Sequence, residues 1–266
     1  MQISLQAASK DIIFINGDDF GLDKRTNERI VHCLSNNLIS STTLLANKPG
    51  FEDAIELIHK YKFNGRVGFH VNLTDGLALS DEMKNFIGAD ISKFKAHLLK
   101  HFFTKVERQA IYSEIRAQLQ TIFDNGVVPT HIDSHGHIHR YLGILMIMQK
   151  VAEEYQIKYI RRMKNLYMKK NITNIVFKRI YNICYSYIGI VSTKYVTSLY
   201  PYVLNNCKLK NIELICHPGN KEEFNFLCAD RYSTFLLERK KDIRFEPFFI
   251  NNRLIDLPVK PGLKIT

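Results

Sequence analysis

The sequence predicts an α/β fold built on a parallel sheet, open or closed into a barrel. Three observations predict it. Short apolar, β-branched runs alternate with stretches of helical spacing, the pattern of βαβ units. The first run, Ile12-Ile13-Phe14-Ile15, is apolar at every position, as a strand buried on both faces must be. The chain has 266 residues, 45% of them apolar, enough to bury a full core. No internal repeat, linker or low-complexity segment divides it, so a single domain over residues 1–266 is expected.

Asn16-Gly17 ends the first strand. Lys24 to Asn36 follows with helical spacing at Ile30, Val31 and Leu34. Ile39 to Ala46 is β-branched and apolar, a second strand. Pro49 suits the first turn of a helix carrying Ala54, Ile55, Leu57 and Ile58. Arg66 to Leu73 reads as a third strand. Helical patterns cover Ile91 to Phe103 and Val106 to Asp124, the latter stopped by Asn125-Gly126. Val127 to Asp133 is a fourth strand, Leu142 to Tyr155 a helix and Lys158 to Arg161 a fifth strand. Ile172 to Ile183 has helical spacing. Ile212 to Cys216 is another strand, Tyr232 to Lys241 a helix, and the tail is extended.

The formal net charge is +11, and it is local. Tyr155 to Asn211 contains no Asp or Glu but eleven cations: Lys158, Arg161, Arg162, Lys164, Lys169, Lys170, Lys178, Arg179, Lys194, Lys208 and Lys210. The rest of the chain is balanced. This basic segment is expected to be an elaboration of the single domain. The five cysteines include no CxxC pair, which argues against a zinc cluster or a disulfide framework and for a reducing, cytoplasmic setting. No signal peptide is visible, and no run reaches the roughly 18 apolar residues of a spanning helix.

Polar residues of the kinds used by metals and proton transfer end four strands. They are Asn16-Gly17-Asp18-Asp19-Phe20-Gly21, Gly68-Phe69-His70-Val71-Asn72, Thr130-His131-Ile132-Asp133-Ser134-His135-Gly136-His137-Ile138-His139, and Cys216-His217-Pro218-Gly219. In parallel α/β folds, sites form at the carboxyl ends of strands. Each cluster has a bland reading: an Asx-turn or helix cap for the aspartates, a satisfied core residue for His70, a turn for His217, a surface tag for the histidine run. Adjacent aspartates repel, however, and a cation or a shared proton explains keeping both. His131, Asp133 and His135 would share one face of a strand, with His137 and His139 continuing the series if the backbone stays extended. Asp plus two His suits zinc and other divalent first-row metals. Three protein ligands leave room for water and substrate, and a second carboxylate beside them would take the water's proton.

At these residues the sequence resembles the YdjC-like carbohydrate deacetylases, which include chito-oligosaccharide deacetylase. Asn16 to Gly21, Gly68 to Thr74 and Thr130 to His135 carry the resemblance, with Cys216 to Gly219 as a shorter fourth match. Their order spans residues 12 to 219. The resemblance implies an irregular (β/α) barrel of mostly parallel strands, related to polysaccharide deacetylases, that removes acetyl from an N-acetylated sugar. By position it implies Asp19, His70 and His135 as ligands of one divalent metal, zinc or magnesium. It implies Asp18 as general base and His217 as acid. Asp133 would orient a histidine from behind; His131, Asn72 and Arg161 would support the site or meet substrate. Gly17 replaces the family's more usual Ala, and Gly136 stands where Gln or His is common. Neither the basic segment after Arg162 nor the C-terminal tail matches the pattern.

Two other readings use the same residues. A phosphoesterase would keep the metal site and use the basic segment for phosphate. A nucleic-acid-binding protein would use its cations with Tyr159, Tyr167, Tyr181, Tyr185 and Tyr187, although no RNP, KH or zinc-finger pattern supports it. On the deacetylase reading, the segment would flank the active-site mouth. It would face an anionic feature of a phosphorylated or lipid-linked substrate, or the membrane surface itself. A homodimer is equally compatible with the sequence.

Overall fold

The computed structural model describes residues 12–98, 103–166 and 191–245. Its centre is one sheet of strands β1 (Ile13–Phe20), β2 (Ser41–Leu44), β3 (Val67–Val71), β4 (Ile132–Ser134), β5 (Tyr195–Ser198) and β6 (Ile212–Cys216). The order across the sheet is β4-β3-β2-β1-β6-β5, and every neighbouring pair is parallel. The described helices are α1 (Lys24–Ser35), α2 (Phe51–Tyr61), α3 (Asp81–Ile87), α4 (Lys95–Leu98), α5 (Lys105–Asp124), α6 (Leu142–Glu154), α7 (Leu199–Leu204), α8 (Lys221–Leu227) and α9 (Asp230–Glu238).

The sheet curls until its edges are joined by irregular chain. Ile132 N–H donates to Tyr159 O at 2.9 Å, and Arg161 N–H to Ile132 O at 2.8 Å. A few residues later, Asn165 N–H donates to Val196 O at 3.1 Å, on the opposite edge strand. Residues 159–166 thus span from β4 to β5. This is the predicted irregular barrel, with parallel strands and their carboxyl ends at one mouth.

Helices cover the outside. Asp23 caps α1 by accepting from Thr26 N–H at 2.7 Å, and Thr104 with Glu107 forms a capping box on α5. α5 buries Ile111, Ile115, Leu119 and Ile122, one stripe at helical spacing. Truncating fully buried Ile115 to Ala would cost about 2–5 kcal/mol. Among the described residues no helix is long and apolar enough to cross a membrane.

Several predicted boundaries shift. The first strand runs on to Phe20, through the polar residues expected to end it. α2 starts at Phe51, so Pro49 precedes the helix instead of sitting in its first turn. The predicted helix from Ile91 is a 3-10 turn, Ile91–Phe94, followed by short α4. α3, α7, α8 and β5 were not expected; Ser80 capping Met83 N–H, with Asp81 and Glu82 behind it, was a readable helix start. The fourth strand shortens to three residues. The fifth shrinks to isolated bridges at Tyr159 and Ile160, because the chain there serves as the closing segment. The helix predicted over Ile172 to Ile183 and the extended tail beyond Phe245 lie outside the described residues, as do the N-terminal residues before Ile12.

Candidate active site

The site is built at the carboxyl end of β1. Neighbouring side chains on a regular strand face opposite ways. Here the pairing with β2 slips by one residue between Gly17 and Phe20, a bulge, and Asp19 takes a left-handed φ of 75°. The bulge brings both aspartates to one cluster. Asp19 is the outer of the two and Asp18 the inner.

The outer set is Asp19, His70 and His135. Asp19 Oδ1 lies 3.2 Å from His70 Nε2 and 2.7 Å from His135 Nδ1. One donor atom from each residue falls within 4.8 Å of the others. Behind His70, its Nδ1 meets Asp133 Oδ1 at 2.5 Å, while Thr43 Oγ1 lies 3.1 Å from that same nitrogen and donates to Asp133 Oδ2 at 3.1 Å. Fixing Nδ1 this way turns Nε2 toward Asp19. Burial alone would lower the His70 pKa; Asp133, with Asp19 and Asp18, outweighs burial and raises it to about 10. Burial would raise Asp19, but hydrogen bonds from His135 and His70 hold it well below the usual carboxylate range.

This set fits a divalent cation. It offers one carboxylate and two imidazoles, converging and partly open to solvent, with the outer nitrogen of His70 already oriented. A second group, Asp18, His70 and Asp133, also brings its donor atoms close. That group fits poorly, because Arg161 already occupies both of its carboxylates.

Arg161 is the centre of the inner set. It is 0% exposed. Its Nη1 and Nη2 donate to Asp18 Oδ2 and Oδ1, both at 2.7 Å, Nη2 also sits 2.7 Å from Asp133 Oδ2, and Nε donates to Glu213 Oε1 at 2.6 Å. Tyr159 Oη donates to the other Glu213 oxygen at 2.8 Å. Burial alone would raise the Asp18 carboxyl; the paired guanidinium outweighs it and holds Asp18 well below the carboxylate range.

His217 faces this inner set from the end of β6. Its Nε2 is 3.9 Å from Asp18 Oδ2, and its Nδ1 is 3.3 Å from Glu223 Oε1 on α8. Glu223 Oε2 also accepts from the His217 backbone N–H at 2.8 Å. Burial would lower the imidazole pKa; Glu223, with Asp18 and Asp19, outweighs it and raises His217 to about 9.

Other sequence candidates take supporting places. His131 is buried, with Nε2 3.1 Å from Asn16 Oδ1, and burial lowers it to about 4, so it is a neutral core residue. A Cβ on Gly68 would meet its ring at 2.5 Å, which explains that glycine. Asn72 is a fully buried clamp for the loop after β3. It accepts from Thr74 N–H at 3.0 Å and donates to Asp75 O at 2.7 Å, a supporting place. Arg161 is likewise sealed from the mouth. His137 and His139 do not continue the strand series, because left-handed Gly136 and His137 turn the chain. His139 packs inward, its Nδ1 2.6 Å from Ser134 Oγ.

Sequence reasoning missed Glu213, Glu223, Asp75 and Lys48. Glu213 had a signal: a lone carboxylate inside the apolar strand Ile-Glu-Leu-Ile-Cys. The basic segment also reads differently in the structure. Arg161 is spent in the core, Lys210 pairs with Asp242 at 2.8 Å, and Tyr159 is buried, so it cannot be a stacking platform. Lys169, Lys170, Lys178, Arg179, Tyr167, Tyr181, Tyr185 and Tyr187 lie outside the described residues.

Comparison with known proteins agrees with this architecture. A carbohydrate deacetylase of Clostridium beijerinckii is 28% identical over 215 residues, covering 78% of this chain and 81% of that protein. A carbohydrate deacetylase of Brevibacillus brevis is 35% identical over 147 residues, 54% of this chain and 57% of that protein. A chitooligosaccharide deacetylase of Proteus mirabilis is 32% identical over 162 residues, 60% and 62% of the two chains. The chain therefore spans little more than half the length of several relatives it matches. An Enterococcus faecalis crystal structure, of a protein provisionally ascribed to cellobiose-phosphate cleavage, superposes with a TM-score of 0.67 at 20% identity, covering 87% of this chain and 95% of that one. The model of the YdjC-like proteins matches residues 12–244, most of the sequence, and the chain belongs to that family.

Proposed function

We propose that the protein is a metal-dependent hydrolase that removes acetyl from an N-acetylated carbohydrate. One observation carries the reading: Asp18 and His217 face each other at 3.9 Å with their protonation preferences pushed apart, beside a converging Asp-His-His set. Two titratable groups driven apart by their surroundings mark an acid and a base. The names of the relatives supply the bond, an acetamide on a sugar.

Asp19, His70 and His135 would hold one divalent ion, zinc or magnesium. Bound there, the ion supplies Lewis acidity to the amide carbonyl and a more acidic water. Asp18 stays ionised under Arg161 and accepts the water's proton. His217, protonated up to about pH 9, gives its proton to the departing amine. Asp133 holds His70, and Arg161 ties Asp18 to Asp133, so base and ligand share one frame. The products are acetate and a free amino sugar. A cytoplasmic setting agrees with Cys33, Cys207, Cys216 and Cys228, all unpaired.

Acetate release from N-acetylated mono- and oligosaccharides tests this reading. Native protein should release acetate, and Asp18→Asn should bind zinc yet turn over slowly. Phosphate release from phosphorylated sugars with no acetate release would replace it with the phosphoesterase reading.

A further inference from the structure

We propose that Asp75 is a positioning residue for His135, accepting its Nε2–H so that Nδ1 is presented as a metal ligand. The inference rests on the reading of Asp19, His70 and His135 as that ligand set.

The argument starts from an orphan. Asp75 Oδ1 is buried with no hydrogen-bond partner among the described residues. A buried polar atom left unpaired is costly and calls for an explanation. The other oxygen is not free to rotate away, because Oδ2 holds Lys48 Nζ at 2.8 Å. The backbone is pinned too: Asn72 donates to Asp75 O at 2.7 Å and to Asn47 Oδ1 at 3.0 Å. Asp75 is therefore a fixed acceptor aimed at one place.

That place is the far side of His135. Asp75 Oδ1 lies 3.9 Å from His135 Nε2, while Nδ1 of the same ring lies 2.7 Å from Asp19 Oδ1. A neutral imidazole carries one proton. If Nδ1 binds a cation, the proton sits on Nε2 and faces Asp75. The proposal requires this 3.9 Å gap to close to hydrogen-bond distance when the cation binds. Asp75 is itself outside the cluster of converging donor atoms, so it acts through the histidine.

His70 supplies the internal precedent. Its far nitrogen already carries a carboxylate, Asp133 Oδ1 at 2.5 Å. The two histidines are then held alike from opposite nitrogens: His70 through Nδ1 by Asp133, His135 through Nε2 by Asp75. Lys48 completes the second arrangement as Thr43 completes the first.

Zinc titrated calorimetrically into chelator-stripped full-length protein tests this. Asp75→Ala should weaken zinc binding roughly 10- to 100-fold, and Asp75→Glu should recover part of the loss. Proton NMR of zinc-loaded native protein should show an exchange-protected His135 Nε2–H that Asp75→Ala abolishes even at saturating zinc. Circular dichroism of the stripped variants should match native, placing the effect at the site. If native protein binds zinc and Asp75→Ala binds it equally while keeping that resonance, the proposal is overturned and the ligand set stands. If native protein takes up neither zinc nor magnesium, the ligand set itself falls, and this proposal with it.

Discussion

The inner and outer halves of the site use the same residue types for different ends. Around Arg161, every group is sealed and matched: Asp18, Asp133 and Glu213 share one guanidinium. A few ångströms outward, Asp19, His135 and His217 are partly open, and Asp75 keeps an unmatched oxygen. A saturated network is rigid and holds geometry; an unsaturated one has capacity left for a ligand or a proton. Asp18 belongs to both halves, which is why its substitution should damage chemistry more than the fold.

The largest expected effect breaks the inner half. Arg161→Met leaves three buried carboxylates without their cation, and should cost roughly 3–5 kcal/mol of stability in urea unfolding. A variant as stable as native would mean the inner set is not what holds the frame. Next, Asp18→Asn keeps shape and removes the base, so turnover should fall about 10²- to 10⁴-fold while zinc affinity persists. Near-normal acetate release would remove Asp18 from the chemistry.

A smaller effect sharpens the outer half. His217 has a raised pKa, so its acid form is present below about 9 and lost as pH rises through that value. The alkaline limb of kcat/KM should report it. Glu223→Gln removes the group that does most to raise it and should draw that limb toward the ordinary histidine value of about 6.5. A limb that stays near pH 9 in that variant would assign it to another group. The smallest effect lies outside both halves: Lys210→Ala breaks a surface pair with Asp242 and should change stability by about 0–1 kcal/mol.

In both halves, the groups at the strand ends could be read from sequence better than the groups that hold them. Asp18, Asp19, His70, Asp133, His135 and His217 stood out because polar residues at the ends of apolar strands demand a reason. Their supporters did not. Glu223 and Asp75 sit in ordinary polar stretches, and only the folded chain brings them to the histidines. Arg161 is 143 residues from Asp18, and parallel pairing of distant strands, not local pattern, joins them. The bulge that turns Asp18 and Asp19 to one site has no composition signal either. The histidine series was legible as far as His135; His137 and His139 would have continued it only on extended backbone, and the left-handed turn at Gly136 and His137 ends it instead. Arg161 was legible both as a cation of the basic segment and as a residue near the site, but its burial against three carboxylates is a property of the tertiary structure alone.

The central claim is that the outer half works only with a cation. It is tested most directly by titrating zinc, and separately magnesium, into chelator-stripped protein while following acetate release from an N-acetylated chito-oligosaccharide. The account predicts no release from stripped protein, recovery that saturates at one ion per chain, and no recovery in His135→Ala. Full acetate release from stripped protein, or equal recovery in His135→Ala, would contradict it.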